Sequence, residues 1–560
     1  MAFTQTPPSP PPDQQGTGRI RGRVVAAETG TPLRGARVVI YGSNAQAPRE
    51  TMADADGGYE VGQLPAGPFV VSASHDGYLG AAYGQRRPRP LDGGTPVTVQ
   101  AGQTVERIDL ALPRAGVILV RLTDAAGEPV AGAYLEILRF EYGANGQRRL
   151  TPVPAGRRGP ATTDDRGEFR AFGLRPGEYF IRASARTVRP AGVGTGRAEG
   201  FSATYYRGST RAGDAQVVPL GTSEERTVQF AMVASRLSRL TGSVSTSDGR
   251  PAAGMDLQLA PREGDSGVVF GAGTVAADGT FAIHGVPAGT YTLQVRQNAR
   301  PRFEDLRAGP STSPFGGVRG EFASLPVTVS GEDVTGLRIV TGRGTTISGR
   351  VVPEGDSALP SASELRVVAL PPGLAGGGFV AAGASVYDFP PDSSVAADGF
   401  FQIAGASGRV QLDVPAANLV VKSVTLDGRD ITNEALDLEG TSAVSGVVVT
   451  VTDRVTTIAG RVLDRDGRPV RSYVVIVSPA DPPGATDVPR RIRVSRPDAN
   501  GRFEIRRVRP GRYLATAVEW IEQGGEFAPE FQGRLRREAR EFTVGEGETL
   551  TLDVRLTPDL

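Results

Sequence analysis

The stretch PDANGRFEIRRVRPGRYLATA, residues 497–517, holds two turns and the strands around them. Asn500-Gly501 supplies the positive φ that a tight hairpin needs, and apolar residues alternate with polar ones on both sides. Alternation predicts Ile492 and Val494 facing inward opposite Phe503 and Ile505, with Arg491, Arg493, Arg502, Glu504 and Arg506 in water. In Val508-Arg-Pro-Gly511, Pro presets φ and Gly accepts the second reversal before the apolar strand that follows.

The same pair of turns recurs upstream. The first reads DADGGYEV at Asp54, DDRGEFRA at Asp164, AADGTFAI at Ala276 and AADGFFQI at Ala396. The second reads LPAG at Leu64, LRPG at Leu174 and VPAG at Val286, while the fourth copy has GASG at Gly405. The turn glycines Gly57, Gly167, Gly279, Gly399 and Gly501 lie 110, 112, 120 and 102 residues apart. That period is too long for a solenoid and suits an independent β-sandwich. Each copy opens alike, with GRIRGRVV at Gly18, LTGSVS at Leu240, TTISGRVV at Thr345 and TTIAGRVL at Thr456. The second opening, VILVRL, has Val120 where the others have Gly. About seven short strands per copy are expected, and a short exposed helix at PEFQGRLRREAREF in the last.

These patterns resemble the carboxypeptidase regulatory-like domain family. The resemblance implies an all-β chain of five tandem Greek-key β-sandwiches of transthyretin-like (prealbumin-like) fold. The expected division is a Pro-rich leader at 1–16, then sandwiches at 17–114, 115–236, 237–342, 343–454 (the divergent one) and 455–560. Short linkers predict an elongated arrangement, a rod or bent string about 150 Å or more in length. The resemblance also implies an exported bacterial protein, in the periplasm, secreted or at the cell surface, and a separate catalytic domain where the family serves carboxypeptidases. The leader MAFTQTPPSPPPDQQ has no apolar core of a signal peptide and is read as a mature terminus left after signal removal.

Composition narrows the function. Against 61 acids stand 62 bases, of which Lys422 is the one lysine, so the net charge of +1 gives no field for nucleic acid or an anionic membrane. No apolar run is long enough for a membrane helix. Cys is absent, and the two histidines, His75 and His284, fall in different copies without a neighbouring ligand motif, so no zinc peptidase centre is expected. No P-loop or nucleophile elbow is found, and no catalytic residue, cofactor or metal is expected. Asp54, Asp56 and Glu60 are spaced like calcium ligands, but other copies keep the turn Gly rather than the acids, which favours a hairpin over a calcium loop.

Two insertions echo each other, GYLGAAYGQRRPRP at Gly77 and GFSATYYRGSTRAG at Gly200. They place Tyr78, Tyr83, Arg86 and Arg87 in the first copy, and Phe201, Tyr205, Tyr206 and Arg207 in the second. Aromatic faces beside Arg suit sugar stacking or an anionic polymer, or else packing on the next domain. In the fifth copy Arg490, Arg491, Arg493, Arg496, Arg502, Arg506, Arg507, Arg509 and Arg512 make a basic hairpin, read as a solvated face neutralised by nearby acids. The expected function is that of a non-catalytic extracytoplasmic scaffold or adhesion protein, acting through a protein partner or self-association. The alternative is polysaccharide binding through the aromatic-Arg insertions.

Overall fold

A computed structural model describes residues 16–42, 48–85, 94–143, 146, 148–153, 155–156, 161–185, 199–261, 271–297, 320–355, 365–370, 392–416, 419–471, 473–480, 492–498, 500–522 and 524–557. Among them the regular structure is almost wholly strand, with one α-helix, Pro529–Glu538. Large hydrophobic cores occupy residues 20–112, 118–232, 240–339, 347–451 and 458–554, each centred on one sequence copy.

Every copy repeats one topology. The opening strand lies between the strand after the acidic turn, antiparallel to it, and the closing strand, parallel to it. First and last strands of a copy pair side by side, as a Greek key requires. The second sheet is antiparallel, with the strand after the Pro-Gly corner beside the second main strand, as in Val38↔Ala73 and Val475↔Ala517. Alternation supplies the core: Ile20 and Val24 from the opening strand meet Val38, Ile40 and Val71 from the facing sheet, all of them buried.

The acidic turn is not the tip of a hairpin. In the fifth copy the strand before it, Arg493–Ser495, pairs with Val474–Pro479, whereas the strand after it, Arg502–Arg506, pairs with Thr457–Leu463 in the other sheet. The turn therefore carries the chain from one sheet to the other, and facing positions on its two flanks need not point the same way. Phe503 and Ile505 are in the core as expected, but Val494 is 41% exposed. Ile492 is buried in a separate apolar cluster, with Phe531 and Leu535 of the helix. That helix is exposed on one side only, because its apolar face, Phe531 and Leu535, is packed on the outer side of the Val474–Pro479 sheet. Pro529 starts it, where a missing N–H costs nothing.

Copies join through short backbone and ionic contacts. The Ser223 hydroxyl of the second copy donates to Glu28 of the first at 3.3 Å and lies 3.4 Å from the Arg114 carbonyl. Lys422 of the fourth copy bonds Glu354 of the same copy and Glu546 of the fifth, the latter at 2.9 Å. An elongated run would keep the second copy far from the fifth. Instead Arg139 forms an ion pair with Glu522, and Tyr142 packs among the helix residues of the fifth copy and donates its hydroxyl to Glu530 at 3.4 Å. The chain is bent back between these copies rather than drawn out end to end. Leu138 and Phe140 beside Arg139 make the outer side of this strand apolar, which favours covering it.

Candidate functional site

The insertions are built into their own sandwiches. Phe201 is 7% exposed and belongs to the second core, while Tyr205 is 4% exposed and covers the outer face of the second sheet with Leu138, Leu150 and Phe180. Consecutive residues of a strand point to opposite faces, so half-buried Tyr206 turns the other way and meets Phe230 edge-on at 5.8 Å. Arg207 is exposed, with its guanidinium 5.8 Å from the Tyr206 ring. Tyr78 and Tyr83 are half-buried against the first core, and Tyr78 also bridges Arg114 at the junction with the second copy. Arg86 and Arg87 lie outside the described residues. The structure thus joins Phe201, Tyr205 and Tyr206 in one copy and Tyr78 with Tyr83 in another, with most of their ring surface spent on packing.

Beneath Tyr205 lies a feature that sequence reasoning missed. Glu136 and Arg182 stand opposite each other on adjacent strands, and the Arg182 Nε donates to Glu136 at 2.6 Å. Their side chains are 4% and 2% exposed. Register Glu136↔Arg182 was invisible until the strands were paired, because the two residues are far apart in sequence. The ion pair is sealed by the insertion, since Arg182 also pairs with Tyr205 in the ladder.

The carboxylates of the acidic turns are occupied by backbone. Asp54 Oδ1 accepts the N–H groups of Asp56 and Gly58 at 2.9 and 2.7 Å. Asp164 and Asp498 make the same two contacts in their copies. Where Ala takes that position, Asp278 and Asp398 bond the residue two further on. These are Asx turns, and their oxygens stabilise a corner rather than wait for a cation. Among the described residues no three His, Asp or Glu side chains gather as a metal would need.

The basic stretch of the fifth copy is also engaged. Arg506 pairs with Glu504 and Arg512 with Glu541. Arg509 donates to Asn433 at 2.6 Å and Arg507 to the Val414 carbonyl at 3.3 Å, so part of this surface faces the fourth copy. Arg490 and Arg491 lie outside the described residues. His284 is exposed, and His75 meets Tyr78 edge-on at 5.4 Å.

The Pro-Gly corners carry a recurrent lock. The hydroxyls of Tyr179, Tyr291 and Tyr513 each donate to the carbonyl four residues earlier, at 2.7, 3.0 and 2.8 Å. Burial pushes the Tyr291 phenol up to about 12. Phe69 and Val410 stand at the corresponding places of the first and fourth copies, which lack this bond.

A chain of mixed-sheet sandwiches, with its polar side chains used in turns and junctions, defines the class. Its first and last copies, at residues 19–113 and 457–557, match the family described as the carboxypeptidase regulatory-like domain. No curated protein matches the chain. Among solved structures, the Bacillus anthracis TIE protein is 15% identical over 58% of this chain and 51% of that one, with a TM-score of 0.16. The present chain thus spans about half the length of that protein. GBS52, the minor pilin of Streptococcus agalactiae, is 14% identical over 39% of this chain and 95% of that one, with a TM-score of 0.22. BcpA, the major pilin subunit of Bacillus cereus, is 12% identical over 58% of this chain and 99% of that one, with a TM-score of 0.13. These scores are too low to equate the arrangements of whole chains.

Proposed function

We propose that this chain is a non-catalytic, extracytoplasmic scaffold of five tandem sandwich domains, divided as the sequence suggests, and that it acts through protein–protein contacts. The observation that carries the reading is where its reactive-looking side chains go. Turn aspartates cap backbone N–H groups, the insertion aromatics fill their own cores, and Arg507, Arg509 and Lys422 hold one copy against the next. What this leaves at the surface is an array of sheets and strand edges, suited to holding other proteins at fixed spacing. Segregation of the apolar residues into one large core per copy supports the domain division.

The test combines cross-linking of the intact chain on whole cells with affinity electrophoresis against neutral and acidic polysaccharides. The expected result is discrete protein adducts and no retardation by any polymer. Retardation that a Tyr83→Ala, Tyr206→Ala double variant removes, with unchanged melting, would overturn the reading in favour of carbohydrate binding.

A further inference from the structure

The fourth copy differs from the rest in one pairing. Its closing strand, Ala443–Thr452, has the opening strand on one side and an additional antiparallel strand, Val420–Leu426, on the other. Among the described residues, the closing strands of the other copies pair in a sheet on the opening-strand side alone. In the first and fifth copies they are broken into pieces of two and three residues, too short to template a partner. In the second, Glu225–Ala231 runs without interruption.

The third copy reproduces the geometry of the fourth, but among the described residues no strand lies beside Val334–Val340 on the outer side; only Gly342, just beyond it, has a partner there, in its bridge with Phe322. Its closing strand, Val334–Val340, bulges at Gly336, with φ +72°, as Ala443–Thr452 does at Gly446, with φ +78°. Both bulges aim the next carbonyl at a glycine of the opening strand. Leu337, Arg338, Ile339 and Val340 therefore stand where Val447, Val448, Val449 and Thr450 stand in the fourth copy. There the four pair with Leu426, Thr425, Val424 and Ser423.

The unfilled edge shows what a missing strand would cover. Val340 is 65% exposed, the most of any large apolar residue described, whereas its counterpart Thr450 is half-buried. The Thr341 N–H donates to the Ser245 carbonyl at 2.9 Å, on the opening-strand side. N–H groups alternate along a strand, so those of Val340 and Arg338 point to the open side. The outer strand of the facing sheet, Phe322–Val329, carries Pro326, which removes a donor and blunts that edge. Val334–Val340 has no proline.

We propose that the open edge of Val334–Val340 is a strand-addition site for an extended, antiparallel segment of another protein. Read from Val420–Leu426, that segment carries apolar residues opposite Leu337 and Ile339. It carries a hydroxyl opposite Val340 and a hydroxyl or acidic residue opposite exposed Arg338. The proposal rests on the scaffold reading and names one place where that scaffold holds a partner.

The probe is a synthetic peptide of residues 422–427, KSVTLD, which covers Leu337 to Val340 and stops short of the place Phe322 holds beside Gly342, added to the full chain. The peptide does not displace its own copy in the fourth domain, where the tethered strand has the advantage of effective concentration. Hydrogen exchange at the amides of Arg338 and Val340 is expected to slow about tenfold with peptide. A Val340→Pro chain, which lacks the outward N–H but keeps the opening-strand ladder, is expected to lose that protection at Arg338, the amide still readable. Unchanged exchange, or equal slowing in Val340→Pro, overturns the proposal. So does slowing that grows with protein concentration and needs no peptide, which would assign the edge to a second copy of this chain. The two readings fail separately: if the peptide never protects this edge while whole-cell adducts persist, the scaffold stands and only the edge site falls.

Discussion

A Cβ placed on Gly349 would lie 2.0 Å from the carbonyl oxygen of Val447, a backbone atom that cannot swing aside. The same relation holds for Gly22 with Ile108 at 2.0 Å, Gly242 with Leu337 at 2.2 Å and Gly460 with Leu552 at 1.8 Å. In these four copies the closing strand is bulged or broken at that point, which tips a carbonyl onto the opening strand. The second copy has Val120 there, and its closing strand keeps unbroken register from Val117↔Glu225 to Thr123↔Ala231. The glycine of the opening motif is thus a requirement of the strand that arrives last.

Gly349→Ala is accordingly expected to destabilise the fourth copy by about 1–3 kcal/mol, through overpacking against backbone. Val120→Gly should also destabilise, by about 2 kcal/mol, because it removes a fully buried side chain and adds backbone freedom. Hydrogen exchange within each copy of the full chain reads both. If Gly349→Ala leaves the fourth copy unchanged, the close approach is not the reason for glycine.

Glu136→Ala is expected to cost about 3–5 kcal/mol in the second copy, since it strands the buried Arg182 without a counter-charge. A Glu136→Met, Arg182→Met double variant should recover most of that loss, because no buried charge is left unpaired. Denaturant melting of the pair of variants checks it, and equal destabilisation by both would contradict it.

Tyr513→Phe removes one hydrogen bond from the fifth corner and should cost about 1 kcal/mol. Tyr59 offers a contrast, since its hydroxyl reaches Ile108 across the sheet at 2.5 Å rather than a corner carbonyl. A midpoint shift in denaturant with an unchanged slope is the expected signature of the Tyr513→Phe loss.

The Lys422 clasp sets a pH dependence. Its ammonium, bonded to Glu354, holds that carboxyl down at about 2. A depressed carboxylate stabilises the folded state above its unfolded value of about 4.3, and the effect fades as pH falls toward the folded value. The difference in stability between the native chain and Lys422→Met should therefore be constant above about pH 5 and disappear between there and about pH 2. A difference that grew on acidification would have the wrong sign.

Much of the fold was legible because its causes are local. Asp-Gly and Pro-Gly corners need particular φ values, and β-branched alternation needs a sheet with one dry face, so a reader of one copy can find the other four. The candidate site was legible only as composition. Phe201, Tyr205 and Tyr206 look alike in sequence, yet neighbouring side chains of a strand point to opposite faces. Where each ring goes depends on which sheet lies on either side.

By itself the sequence determined the repeat, the all-β class and the positions of the corners, since these follow from backbone preference and periodicity within a few residues. Only tertiary structure decided that the acidic turn crosses between sheets, that Glu136 meets Arg182, that Arg139 reaches Glu522 and that Val334–Val340 has no outer strand among the described residues. Each of these joins residues distant in the chain. Pairing and burial across such distances depend on which surfaces meet, and no local preference encodes that.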